Sequence, residues 1–470
     1  MSQNLIFSVA DIREAEKTLI SNLPNRALME RAAFGLASFI AQLIRHSELT
    51  PNQTRVVAII GKGNNGEDCL VAGEYLKQKG FEFIAIDQSD DSEKSKKIIA
   101  TANVVLDGIV GLGSNSPISK SAASLFSVVS KNAVVVAVDL PSGINPDTGE
   151  VFDENFVIKA DYTVTFGALK TGLVTGKAKR FCGKLHFVDI GLMPYLKKFT
   201  PVALIPTEEQ LTTLYPRRSA ASHKYSKGVV AINAGSKKYP GAALLTLQGA
   251  IESGVGMITY QGDASESLIK KLPQVVYGES NKSKVTAAVL GPGQSSYAKN
   301  YMQFISGCKK LILDATAIGL LTLKPVQRLI EKEKIQVLIT PHEKEANDLC
   351  LALKIPFTQD RIQLAKSLAQ VTGAICLLKG SGAIVAGADF ETVLIDGAGN
   401  EALATAGSGD VLAGLIGGLA ASPNTSLRQA SILALAILGA AGQLAKSFAP
   451  DPALDLVVQS IPVAISELVN

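Results

Sequence analysis

The sequence predicts an α/β protein of two domains, each a largely parallel sheet covered by helices on both faces. Three observations predict it. The chain has 470 residues, more than a single hydrophobic core commonly organises. Short apolar runs alternate with glycine-rich turns and helical patterns, as in Val56-Val57-Ala58-Ile59-Ile60, residues 61–66 and residues 70–79. A polar, proline-containing stretch at residues 195–225 separates two such series. The expected domains are therefore residues 1–212 and 213–470.

Bulk properties narrow the function classes. Hydrophobic residues make up 47% of the chain, too many for general disorder. Lys+Arg number 46 against Asp+Glu 42, a net charge of +4 with no dense basic stripe, so no nucleic-acid partner is expected. Cys69, Cys182, Cys308, Cys350 and Cys376 are odd in number and form no CxxC pair. That pattern fits reduced, buried thiols in a cytoplasmic protein and argues against a structural zinc site. Residues 1–7 lack a basic segment followed by an apolar core, so no signal peptide is expected. Residues 430–445 are the most apolar stretch, yet shorter than the roughly 20 residues of a membrane span. They read as a buried helix, with no membrane partner.

Taken in order, residues 13–46 carry apolar residues at helical spacing. Residues 56–60 read as a strand, 61–66 as a loop and 70–79 as a helix. Val104-Val105-Leu106-Asp107 and Val134-Val135-Val136-Ala137-Val138-Asp139 read as buried strands, each ending in an acid. Ligands bind such sheets at the carboxyl ends of strands, which places Asp107 and Asp139 where chemistry happens. Residues 195–199 and 214–224, with Pro201, Pro206 and Pro216, read as a linker. The second series has strands at 228–232, 287–290, 311–314, 337–340 and 376–379. Residues 383–385 and 392–395 suggest a small hairpin, and the chain is helical from Asp410 onward.

The element with most chemistry is Ala404-Thr405-Ala406-Gly407-Ser408-Gly409-Asp410. Its glycines let consecutive backbone N–H groups converge, and the helix that follows adds its positive dipole end. This is an anion hole suited to a nucleotide phosphate. Asp410 can serve as a general base on a hydroxyl, or can cap the helix. Other strand ends carry Asn233-Ala234-Gly235-Ser236, Gly291-Pro292-Gly293, Thr340-Pro341-His342 with Glu345, and Lys379-Gly380-Ser381-Gly382-Ala383.

In that order these blocks resemble the ribokinase-like dehydratase family that repairs hydrated NADH and NADPH. The resemblance covers roughly residues 220–465. It implies nucleotide contacts at Lys379, Gly380, Ser381, Gly382, Ala383 and Gly409. It implies contacts to the hydrated substrate at Ala242, Gly293, His342 and Asp410, with ADP as co-substrate and magnesium. His342 has a second reading, a turn residue held by backbone hydrogen bonds. Asp410 would take the ring hydroxyl's proton while that oxygen attacks the terminal phosphate of ADP, giving AMP and phosphate. Asp314-Ala315-Thr316-Ala317 replaces the family's DADA block and lacks its second acid.

The first half resembles the NAD(P)H-hydrate epimerase family across residues 10–195. Gly61-Lys62-Gly63-Asn64-Asn65-Gly66-Glu67-Asp68 is similar to its GxGNNGGD loop. Asp107-Gly108-Ile109-Val110-Gly111-Leu112-Gly113, Val138-Asp139-Leu140-Pro141-Ser142-Gly143 and Thr163-Val164-Thr165-Phe166 with Lys170 match further blocks. The resemblance implies a Rossmann-like three-layer αβα fold here and a ribokinase-like αβα fold in the second domain. It implies substrate contacts at Asn64, Asn65, Gly66, Glu67 and Asp68, and at Gly111, Leu112, Gly113, Ser114, Asn115, Ser116 and Pro117. It implies potassium at Asn65, Asp107 and Ser142. Asp139 is the candidate acid–base residue, or else a turn residue before Pro-Ser-Gly. Glu67 stands where the family has glycine, which adds bulk and charge near the ligand. The segment between Ile86 and Val104 is short for the family, so a strand–helix portion is expected to be trimmed.

The expected enzyme epimerises the R and S hydrates of NADH and NADPH and dehydrates the S form. Its expected partners are those small molecules and ADP, and a homo-oligomer is expected. The alternative is a small-molecule kinase fused to a non-catalytic nucleotide-binding domain.

Overall fold

Strands of continuous apolar residues organise the chain in two units, Met1–Leu204 and Ile205–Asn470. The computed structural model describes residues 4–24, 26–45, 50–217, 221–264, 268, 270–279 and 281–469.

Unit 1 holds six parallel strands in the order Glu82–Asp87, Arg55–Ile60, Val104–Gly108, Val134–Val138, Tyr162–Phe166 and Lys184–Val188. Side chains alternate between faces with a period of two. Val56, Ala58, Val104 and Leu106 pack with helices Val9–Ile20, Ala27–Arg45 and Asn64–Gln78. Val57, Ile59 and Val105 pack on the other face with helices Glu93–Ala100 and Lys120–Phe126. Two cores on opposite faces make the three-layer αβα architecture. From Arg55–Ile60 the chain adds a strand on one side, then crosses to Val104–Gly108 on the other. That switch point opens a crevice at the carboxyl ends of these two strands.

Unit 2 is a second αβα fold. Its strands run Val393–Ile395, Ile384–Ala386, Ile375–Leu378, Gln336–Ile339, Lys310–Leu313, Ala287–Leu290, Val229–Asn233, Met257–Tyr260 and Val276–Tyr277. The first two are the antiparallel hairpin and the rest are parallel. Strands Ala287–Leu290 and Lys310–Leu313 are buried along their whole length, so both faces are covered. The switch point lies between Val229–Asn233 and Ala287–Leu290. There the Gly235 N–H donates to Pro292 O at 2.7 Å, and Gln294 Nε2 donates to Asn233 Oδ1 at 2.6 Å.

Several elements differ from expectation. Residues 13–46 form two helices, not one, because Pro24 and left-handed Arg26 (φ 68°) interrupt the backbone. The helix expected at 70–79 begins at Asn64, which turns the second half of the glycine loop into its first turn. The linker contains helices Met193–Leu196 and Glu208–Leu214 and the strand Ala203–Leu204. Its short polar segments gave no periodicity to read, and residues 218–220 lie outside the described residues. The segment between Ile86 and Val104, expected to be trimmed, holds one short helix, Glu93–Ala100, of 8 residues. Helix Leu427–Phe448 is long and apolar enough to cross a membrane, but 67% of its apolar window is buried inside the fold. It packs on helices Ser408–Ala420 and Leu454–Val469. All five cysteines are free and buried.

Candidate active sites

In unit 1 the crevice is a cavity of about 730 Å³. Helix Asn64–Gln78 enters it directly from Gly63 at its N-cap. Gly66 is buried, and a Cβ there would lie 2.2 Å from Gly61 O, so only glycine fits this first turn. Asn64, Asn65 and Asp68 fall on one helical face and line the cavity, while Glu67 is exposed and absent from the wall. The charge expected to intrude on the ligand therefore points to solvent. Gly111, Leu112, Gly113 and Asp139 also line the cavity; Ser114, Asn115, Ser116 and Pro117 do not. Ser114 is buried with its hydroxyl unpartnered.

Asp139 caps the strand Val134–Val138 in a left-handed conformation (φ 66°), a strained setting that recurs at functional sites. Its carboxylate is buried and paired with the equally buried Lys170, Nζ to Oδ1 2.5 Å. Thr165 Oγ1 and the Phe166 N–H also donate to Oδ1 at 3.3 and 3.4 Å. Lys170 Nζ is fixed further by Thr165 Oγ1 at 2.9 Å and Phe166 O at 3.0 Å. Two more carboxyls reach the same cavity. Burial and the nearby charges of Asp139, Glu16 and Glu67 push Asp68 up to about 8. Burial and Asp139 raise Glu16 to about 7, against the pull of Lys170 and Arg13.

Beside the cavity, Asp107 is fully buried. It accepts from Ser142 N and Ser142 Oγ, each at 2.7 Å, and burial pushes its carboxyl up to about 6. No cationic side chain pairs with it among the described residues. Asn65 Nδ2 donates to Val138 O at 2.9 Å, leaving its amide oxygen as a further donor to a cation.

In unit 2, Asp410 is the third residue of helix Ser408–Ala420, whose N-cap Gly407 is left-handed at φ 94°. Burial and the neighbouring Asp314 raise Asp410 to about 7, while Lys379 pulls it down. Its carboxyl accepts no side-chain hydrogen bond among the described residues. Lys379 is committed elsewhere: Nζ lies 2.8 Å from Asp314 Oδ1 and 3.7 Å from Glu345 Oε2. Burial favours its neutral form, but Asp314, Glu345 and Asp410 outweigh that and hold the ammonium above its ordinary value. Asp314 also accepts from Thr340 Oγ1 at 2.6 Å. A Cβ on Gly409 would sit 3.7 Å from Lys379 Nζ, so the ammonium faces the helix N-terminus. Gly380 and Gly382 turn the following loop, propped by Arg361 Nη2 on Lys379 O at 3.0 Å. Ala383 leads into the hairpin strand. Gly293 (φ 66°) meets Ala242 so closely that a Cβ would lie 2.2 Å from the alanine's own.

His342 is held by backbone hydrogen bonds, the second of the two readings made of it. It caps helix Glu343–Leu353, its Nδ1 accepting the Glu345 N–H at 3.1 Å. It also lines a cavity of about 460 Å³ with Thr316 and Glu345, a wall that does not include Asp410. Sequence reasoning missed Asp314, Glu16, Arg13 and Arg361 as site residues. Asp314 carried a signal, an acid ending a buried strand. The other three sit on ordinary-looking helices and carried none.

Two αβα units, each carrying carboxyls raised toward neutrality, define a two-site α/β enzyme that handles nucleotide-like ligands. Residues 230–458 match the family model described as NAD(P)H-hydrate dehydratase. Residues 25–92 and 82–172 match the model described as YjeF-related protein N-terminus. The bifunctional NAD(P)H-hydrate repair enzyme Nnr of Mycobacterium leprae is 33% identical, over 88% of this chain and 89% of that relative. That of Escherichia coli is 32% identical, over 87% and 84%. A crystallised ADP/ATP-dependent NAD(P)H-hydrate dehydratase from Bacillus subtilis is 26% identical, with a TM-score of 0.48, over 56% of this chain and 98% of that one. The chain belongs to the bifunctional NAD(P)H-hydrate repair enzyme family.

Proposed function

We propose that unit 1 interconverts the R and S hydrates of NADH and NADPH, and that unit 2 dehydrates the S form using ADP. The observation that carries the reading is Asp410: an acid at a helix N-terminus, tuned to about 7, beside an ammonium that faces the same helix end. A carboxyl with a pKa near working pH is suited to accept a proton from a hydroxyl. The freed ring oxygen attacks the terminal phosphorus of ADP, and AMP departs with the bridging electron pair. The loop N–H groups at 407–409 and Lys379 hold the charge on the transferred phosphoryl group. The ring nitrogen then expels phosphate from C6, and phosphate takes the proton lost from C5. The reduced dihydropyridine is restored.

Magnesium fits this site as an ion carried by the nucleotide's phosphates. No group of three or more potential ligands among His, Cys, Asp and Glu is present among the described residues. When bound it would neutralise phosphate charge. Potassium fits the oxygen donors of Asp107, Ser142 and Asn65, because Asp107 is an anion buried without a counter-cation. It would order the loops that follow these strands. In unit 1, Asn64, Asn65, Gly111, Leu112 and Gly113 bind the hydrate, and Asp139 moves a proton at its hydrated carbon. In unit 2, residues 379–383 and Gly409 bind ADP, and Ala242, Gly293 and His342 position the hydrate.

The test is turnover of each purified hydrate epimer with ADP and with ATP. Recovery of the reduced ring's near-ultraviolet absorbance, with AMP and phosphate released from ADP, is expected. A stable phosphate ester without that recovery would mean a small-molecule kinase instead.

A further inference from the structure

Three carboxyl groups from three elements face the unit 1 cavity: Glu16 on helix Val9–Ile20, Asp68 on helix Asn64–Gln78, and Asp139 after strand Val134–Val138. Their surroundings differ. Asp139 is tied to Lys170, Thr165 and a backbone N–H. Glu16 accepts no hydrogen bond and forms no ion pair among the described residues, although its side chain reaches the cavity. Arg13, on the same helix, donates Nη2 to Leu112 O at 3.2 Å. That bond fixes the helix against the loop that forms another wall. Glu16 also lies outside the stretch matched by the family model, which begins at residue 25.

The chemistry of epimerisation asks for such a group. Inverting the hydrated carbon means losing its hydroxyl and regaining one from the other side. The ring nitrogen's lone pair forms a C=N bond as the C–O bond breaks. The leaving hydroxyl needs a proton and departs as water. A second water adds to the opposite face, and its extra proton needs a base. One water leaves and one enters, so atoms balance. One acid and one base are required, and a single carboxylate already locked to a lysine supplies only one of them. Two carboxyls in one cavity, one bound by Lys170 and the other without a partner among the described residues, can divide these two parts between them.

We propose that Glu16 is a second catalytic residue of the epimerase reaction, protonating the departing hydroxyl while Asp139 takes the proton from the entering water. The proposal rests on the epimerase reading of unit 1. Roles exchange in the reverse direction, and solvent in the open cavity resets the protons. The charged groups facing Glu16 are Asp139, Lys170, Arg13 and Asp68. Burial and Asp139 favour its protonated form near neutrality, in keeping with the acid's role.

The experiment uses the full chain and Glu16→Gln, with R-to-S interconversion followed by proton NMR. Dehydration of the S hydrate by unit 2 serves as the control. The expected result is a fall in epimerase kcat of about 100-fold or more with KM little changed and dehydration intact. The parent's rate falls as pH rises through about 7, and this limb disappears in the variant. In heavy-oxygen water each inversion is expected to bring in one solvent oxygen. Interconversion at the parent rate by Glu16→Gln, or inversion without oxygen exchange, overturns the proposal. If the parent itself fails to interconvert epimers, the epimerase reading falls first. Should Glu16→Gln unfold unit 1, Glu16→Asp replaces it: a slowed rate with a displaced alkaline limb supports the role, and a profile identical to the parent overturns it.

Discussion

Asp139 ends a strand in unit 1 and Asp410 opens a helix in unit 2, and although each has a lysine nearby, only Asp139 is paired with it. Asp139 is clamped by a buried lysine, two further donors and a strained backbone. Asp410 has no such clamp, because the nearby Lys379 is engaged by Asp314 and Glu345. The difference teaches how one residue type is given two tasks. A direct ammonium contact fixes a carboxylate in place. An ammonium held one residue away leaves a carboxyl raised to about 7 and free to trade a proton.

The largest expected effect breaks the comparison at unit 2. Asp410→Asn is expected to lower dehydration by about 10³-fold and to leave epimerisation untouched. Separate assays on the two hydrate epimers check this, and retained dehydration would remove Asp410 as the base. Next comes the clamp in unit 1. Lys170→Met leaves Asp139 buried without its partner, at a cost of about 3–5 kcal/mol. A lowered unfolding midpoint together with at least tenfold slower epimerisation is expected.

A smaller effect sharpens the comparison through pH. Asp410 must be unprotonated to act, so dehydration is expected to rise as pH increases through about 7. Asp314→Asn removes a negative neighbour and frees Lys379, so the midpoint of that limb is expected to move to lower pH. A pH–rate profile of the S hydrate reads this, and an upward move would contradict the network. In unit 1 the raised Asp68 works against stability in the opposite window. Its folded form holds a proton to about 8, so its contribution is fully favourable only below the ordinary carboxylate range and is lost as pH rises toward 8. Denaturant titrations of Asp68→Asn at acid and alkaline pH are expected to show the variant gaining on the parent as pH rises. The smallest effect is expected of Glu67→Gly. Epimerase rate is expected to change less than about twofold, with up to about 1 kcal/mol lost from a glycine in the helix. A large gain in rate would mean that Glu67 does reach the ligand.

Much of the fold was legible because its cause is local. Buried parallel strands such as Val104–Gly108 and Ala287–Leu290 announce themselves as apolar runs, and the acid or glycine after each marks a crevice. Helix starts were less legible. Asn64 begins a helix where glycines read as loop, since the switch point lets Gly66 pack on Gly61. Pro24 was visible, but a continuous apolar pattern hid the break it makes.

By itself the sequence determined the two αβα units, the glycine turn ending in Asp410, and the family, because these rest on residue type and spacing. Tertiary structure alone decided which groups meet. It turned Glu67 outward, drew Asp314 from one strand end to Lys379 on another, and brought Glu16 from the first helix to the cavity of Asp139. Those encounters join residues up to 123 positions apart, and they exist only where chain crossings close the sheet's crevice. Charge tuning depends on distance and burial, and neither is written along the chain.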